Sequence, residues 1–201
     1  MGRVRTGLRE RKKLDTRWAL SNAALELALE RGLDNVTRED IAARAGVSLR
    51  TFNNYFAGKY EAVAFRQIDR MRQSLAVFRQ RPADEPLWSA ITESVLAPLE
   101  AAGAFDVRPT PDELAVIREL LSARDMRAAL TRELFADWVD AVAERTGLDP
   151  VRDLYPRLVV AVVRAVGETA METYANADPP VAYTELLRRG LAEVAAGLPE
   201  R

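Results

Sequence analysis

The chain has 201 residues, 48% hydrophobic and 29% charged, with ten glycines and ten prolines, the make-up of a globular protein able to bury a sizeable core. It holds neither cysteine nor histidine, so disulfides, thiolate nucleophiles, the usual neutral-pH base and the commonest metal ligands are missing; no metal and no cofactor is expected, and most enzyme classes are disfavoured. The net charge of −1 hides an asymmetry: up to Lys59 there are twelve Lys or Arg against seven Asp or Glu, and beyond it 17 against 23.

Residues 1–14 carry Arg3, Arg5, Arg9, Arg11, Lys12 and Lys13 against one acid, Glu10, with little apolar material to pack. They read as a basic arm, disordered in the free protein, that can settle on phosphate or in the minor groove when DNA is present, since disorder can end on binding. From about Asp15 to Arg31, Leu20, Ala23, Ala24, Leu27 and Ala28 recur at helical spacing, and Gly32 followed by Leu33 gives a stop.

The stretch from Thr37 to Lys59 dictates the most specific geometry. Thr37 suits an N-cap, Asp40 stands where a capping-box acid belongs, and Ile41, Ala42 and Ala45 share one side of the helix. Gly46 can take the left-handed conformation of a sharp turn, Val47 can plug the space between two helices, and Ser48 can cap the second. That second helix, roughly Ser48 to Tyr55, turns Phe52 inward together with Phe56, and leaves Leu49, Arg50, Thr51, Asn53 and Asn54 outside. A guanidinium, a hydroxyl and two carboxamides on a short helix suit base edges and phosphates in a major groove.

A long helix is expected from Lys59 to Gln80, with Val63, Ile68, Met71, Leu75 and Phe78 inward and Pro82 and Pro86 ending it. Further helices follow at Leu87–Leu99, from Thr110-Pro111 with Glu113 to about Ala123, and from Met126 to Arg145 before Gly147. Another runs from Asp149-Pro150 to Ala177, with Pro156 either kinking it or marking its true start, and a last one from Ala182 to Ala196. Strand-like alternation is missing, there is no internal repeat, and about nine helices result. No run approaches the roughly 18 apolar residues that span a bilayer, and the basic N-terminus has no apolar stretch behind it, so a cytoplasmic protein without membrane contact is expected.

Residues 18–63 resemble the DNA-binding domain of the TetR family of bacterial transcriptional regulators. The resemblance rests on Ala23-Ala24-Leu25-Glu26-Leu27, Arg31-Gly32, Val36-Thr37, Asp40 through Ser48, Tyr55-Phe56 and Lys59, in that order. It implies an all-α fold: a helix-turn-helix domain at 15–58, then a larger helical ligand-binding and dimerisation domain at 59–201. Thr37, Thr51, Tyr55 and Lys59 correspond to residues that the family places against the DNA backbone, and Arg38, Ser48 and Asn54 lie among them. The reading positions depart from the common pattern: Arg50 replaces a frequent glycine, Asn53 a frequent aromatic, and Leu49 a usual polar residue. Arg50 could pair with guanine, Asn53 with adenine, and Leu49 with a thymine methyl.

The resemblance also implies a homodimer on a palindromic double-stranded operator, joined through the helices at about 150–177 and 182–196. Leu158 through Val163 is apolar nearly all round, and Leu186, Leu187, Leu191 and Val194 follow, which suits a core plus an interface. Trp88, Phe105, Met126, Phe135, Trp138, Tyr155 and Met171 lie in the helices that enclose the family's pocket for a small-molecule effector, with Arg118, Arg124, Arg164 and Glu168 as possible polar anchors. A ligand-independent architectural DNA binder and an enzyme fused to a DNA-binding module are the alternatives.

Overall fold

The computed structural model describes residues 3–103, 110, 114–115, 117–118, 135–179 and 181–200, with backbone alone at 3–6 and 8–10. Eight α-helices are found among them, and no strand. They are α1 (Arg3–Arg31), α2 (Arg38–Arg44), α3 (Leu49–Tyr55), α4 (Lys59–Gln80), α5 (Leu87–Ala101), α6 (Phe135–Thr146), α7 (Leu154–Asn176) and α8 (Tyr183–Ala195). A 3-10 turn, Leu33–Asn35, joins α1 to α2. None of the described helices is long and apolar enough to cross a membrane.

The chain divides into two units. The first takes in residues 1–68 with 115–130, the second 69–114 with 131–201. The division falls inside α4, not at the expected boundary of 58/59. The first turns of α4 supply a wall of the first unit: Phe65 packs edge-on against Trp18 and Phe56, at 5.6 and 5.7 Å between ring centroids, and Ala62, Ala64 and Ile68 are buried with it. The Arg17 guanidinium lies over the rings of Phe65 and Phe56. Leu20, Ala24 and Ala28 of α1 and Leu33, Ile41 and Phe52 complete this core, each fully or almost fully buried.

Residues 3–14 belong to the stretch expected as a basic arm. Helix α1 begins at Arg3 and runs unbroken through this stretch. Arg, Glu, Lys and Leu are all good helix formers and no proline intervenes, so local propensity carries the helix back even though no acid lies in its first turn.

In the second unit, α7 packs on α6 and α8, and α8 also packs on α5. Pro156 is buried in the first turn of α7 and does not kink it. The preceding Asp149-Pro150 forms a separate turn in which the Asp149 carboxylate accepts from the backbone N–H groups of Val151 and Arg152, at 2.8 and 2.9 Å. Glycine at 190 lets α7 and α8 approach closely, because a Cβ there would stand 2.8 Å from Val166 Cγ1. The expected helix from Thr110 is described only in part, where the Leu114 N–H donates to the Thr110 carbonyl at 3.0 Å. The expected helix start at Met126 lies outside the described residues, and its described part is α6.

The end of α4 is stapled within the second unit. Arg145 of α6 donates from Nη2 to the carbonyls of Pro82 and Glu85, at 2.6 and 2.8 Å, and from Nη1 to that of Arg81 at 3.4 Å. Its guanidinium also lies 5.4 Å from the centre of the Phe78 ring. Charged hydrogen bonds of this kind contribute about 2 kcal/mol, so Arg145→Met is expected to lower stability by about that amount in thermal or urea unfolding. A loss below about 0.5 kcal/mol would show that solvent replaces the staple.

Candidate nucleic-acid interface

Helix α3 is short because both ends are specified. Its N-cap, Ser48, accepts from the Thr51 backbone N–H at 3.1 Å, and Phe56, in extended conformation, ends it. Gly46 sits at φ 67°, the left-handed conformation that the turn between α2 and α3 requires. Phe52 is completely buried and packs against Phe56 at 5.9 Å, which fixes the rotation of α3. The opposite side then presents Arg50, Asn53 and Asn54 to solvent, with Leu49, Thr51 and Tyr55 half-buried rather than fully outside.

Helix α2 holds α3 in place. Thr37 Oγ1 accepts from the Asp40 N–H at 3.1 Å and donates to Asp40 Oδ2 at 2.6 Å, while the Thr37 N–H donates to the same carboxylate at 3.0 Å. Arg31 pairs with Asp40 at 2.7 Å, and Arg44 binds Glu30 through both terminal nitrogens, at 2.7 and 2.6 Å, joining α2 to the end of α1. Hydrogen bonds from the Thr37 side chain and backbone, with Arg31 nearby, hold the Asp40 carboxyl below its ordinary range. A hydrogen bond from Arg44 does the same for Glu30. A carboxyl lowered on folding stabilises the fold above its unfolded value of about 4, and that contribution is lost as pH falls through the lower, folded value. Thr37→Ala removes the cap and is expected to cost about 1 kcal/mol, read from urea unfolding; no change would mean that Asp40 alone caps α2.

The cations divide by role. Arg31 and Arg44 are neutralised by acids inside the unit, whereas Arg38 and Arg50 are exposed and, among the described residues, pair with no carboxylate. Arg38 Nη1 instead donates to Asn53 Oδ1 across the two helices, at 3.4 Å. Guanidinium groups without a carboxylate partner among the described residues, beside exposed carboxamides, make a surface suited to anionic backbone and base edges. Lys59, expected on the DNA backbone, donates two of its ammonium protons to the carbonyls of Leu33 and Asp34, at 2.8 and 3.2 Å, clipping the start of α4 to the turn after α1. Thr37, likewise expected against phosphate, has its hydroxyl engaged in the capping box. Sequence reading missed the Arg44–Glu30 brace and the Arg38–Asn53 pair because their partners lie 14 and 15 residues apart across turns, a spacing with no periodic signature.

The residues expected to line an effector pocket are not all of one kind. Trp88, Phe135 and Met171 are half-buried. Trp138 is buried against Phe78, with ring centroids 5.3 Å apart, and Arg164 lies over the ring of Phe135. Tyr155 is 45% exposed, beside Leu154 and Leu158 on α7. Phe105 and Met126 lie outside the described residues.

A three-helix unit that buries Phe52 behind a short, polar, cap-defined helix is a helix-turn-helix DNA-binding module. Residues 20–64 match the model of bacterial regulatory proteins of the tetR family, and residues 85–199 match that of the MftR C-terminal domain. The transcriptional regulator TcmR of Streptomyces glaucescens is 35% identical over 86% of this chain and 79% of its own. The regulator MftR of Mycobacterium tuberculosis is 26% identical over 94% and 93%. Among solved structures, the repressor FadR of Thermus thermophilus, in complex with lauroyl-CoA, superposes with a TM-score of 0.58 at 21% identity, over 92% of this chain and 96% of that one. The chain belongs to the TetR family. It is a DNA-binding transcriptional regulator and not an enzyme.

Proposed function

We propose that the protein is a cytoplasmic, ligand-responsive repressor that binds a palindromic operator as a homodimer. The observation that carries the DNA-facing part is the rotation of α3, with Phe52 fully buried and Arg50, Asn53 and Asn54 in solvent. Arg50 and Asn53 carry sequence preference, while Thr51, Tyr55 and the remaining proton of Lys59 are the backbone contacts. One short helix reads few bases, so a twofold dimer that doubles the site follows from the geometry of such motifs.

Support for dimerisation comes from the start of α7. Val151, Leu154 and Leu158 are 75%, 73% and 51% exposed, while the neighbouring Val159 and Val160 are buried in the monomer. A stripe of large apolar side chains left in water beside a filled core is suited to a second copy of the same helix, paired with α8. Tyr155 belongs with this stripe, which leaves Trp88, Phe135, Trp138 and Met171 as the apolar candidates for effector contact.

The effector acts by shifting the population of α4 positions, so that the two recognition helices no longer match successive major grooves. The lauroyl-CoA of the FadR structure makes acyl-CoA thioesters a sensible first class of compound. The test is operator binding by fluorescence anisotropy with and without lauroyl-CoA and a panel of other apolar acids and aromatics. At least one class should weaken binding. A panel without effect, together with undiminished binding to a single half-site, would favour a ligand-independent DNA binder.

A further inference from the structure

We propose that Arg38 is a positioning residue for Asn53, turning that carboxamide into a hydrogen-bond donor so that the pair selects guanine at a base position where a free asparagine would select adenine. The inference rests on the reading of α3 as the recognition helix.

Asparagine reads adenine with both ends of its amide: Oδ1 accepts from N6–H, and Nδ2 donates to N7. Here Oδ1 is engaged, because Arg38 Nη1 donates to it at 3.4 Å. An arginine has donors only, so the orientation of the amide follows: Nδ2 is the end left for DNA. Oδ1 keeps a second lone pair, but with the oxygen drawn to the guanidinium the end turned outward is Nδ2, and the groups there are its two N–H donors and those that remain on Arg38. Guanine presents two acceptors, N7 and O6, in the major groove, and adenine presents one acceptor beside the N6 amino group. With Nδ2 turned outward the pair meets that amino group donor against donor, whereas guanine offers it two acceptors.

The surroundings favour this role over a simple phosphate contact. Arg38 is the first residue of α2 and lies inside the Thr37–Asp40 capping box, which fixes its backbone. The acids that neutralise Arg31 and Arg44 are engaged with those residues, and among the described residues none pairs with Arg38. Arg38 and Asn53, in contact across α2 and α3, are both exposed, and Arg50, three residues before Asn53 on α3, is exposed as well.

The experiment is enrichment of randomised duplex DNA by the full-length protein, run in parallel for the wild type, Asn53→Ala, Arg38→Met and Arg38→Lys. Asn53→Ala identifies the position by flattening the preference there. At that position the wild type is expected to favour guanine over adenine by about tenfold, and Arg38→Met to move the preference to adenine while other positions keep theirs. Arg38→Lys, which keeps a cationic donor, should hold guanine in part. Two results would overturn the proposal alone: adenine favoured by the wild type, or an Arg38→Met protein that binds more weakly with an unchanged sequence profile, as loss of a phosphate contact would give. A wild-type protein that enriches no sequence would overturn the underlying reading of α3 and this proposal with it.

Discussion

Replacing Leu154 and Leu158 together by glutamate is expected to leave the chain folded, monomeric and about a hundredfold or more weaker on a palindromic duplex. Both side chains are mostly in water in the isolated chain, at 73% and 51% exposure, so the change removes little monomer core. In a twofold interface the same patch lies on both sides, so four added carboxylates would be driven together where the interface must be dry. The loss on DNA follows because the second recognition helix no longer arrives with the first, and its local concentration falls. Sedimentation, circular dichroism and anisotropy on one sample separate these effects. A variant that is still dimeric would move the interface away from the start of α7. A monomer with unchanged operator affinity would remove the twofold model of binding.

The second large effect is in the core of the recognition unit. Phe52 is completely buried, and Phe→Ala changes at such sites cost about 3–5 kcal/mol through lost burial and the cavity left behind. Against the 5–15 kcal/mol that typically separates folded from unfolded domains, this is enough to loosen the unit. Phe52→Ala is thus expected to abolish specific DNA binding at 37 °C and to lower the first unfolding transition, while the helices beyond Asp69 keep their signal. Asn54→Ala, outside on the same helix, serves as the control for stability. Binding undiminished in the Phe52 variant would mean that α3 is not held by this packing.

What could be read from the residues was whatever a single short segment determines. Thr37 with Asp40, Gly46 and Ser48 act within three or four residues of themselves, and the capping box, the left-handed turn and the cap of α3 all stand where those residues predict them. The family pattern spans the same segment, so fold class followed from it. Features that depend on two distant segments were out of reach. The ammonium of Lys59 could reach either DNA or a carbonyl, and only the fold shows Leu33 and Asp34 beside it. The run Leu158–Val163 is apolar throughout, yet the packing of α6 and α8 on α7 buries Val159 and Val160 and leaves Leu158 outside. The boundary at 58/59 followed a glycine, whereas the stacking of Phe65 on Trp18 and Phe56 carries the first unit on to Ile68. The basic stretch before Asp15 carries charge and helix propensity together, and α1 follows the propensity back to Arg3.

The central claim is that α3, presented twice, reads an inverted repeat. The measurement that bears on it most directly is the sequence enriched from randomised duplex DNA by the full-length protein, compared with that enriched by an Arg50→Ala/Asn53→Ala variant of unchanged circular dichroism. The wild type should enrich two inverted half-sites with centres about one helical turn, or a multiple of it, apart, and the variant should retain weak, salt-sensitive binding without that preference. The same inverted repeat recovered by both proteins would contradict it.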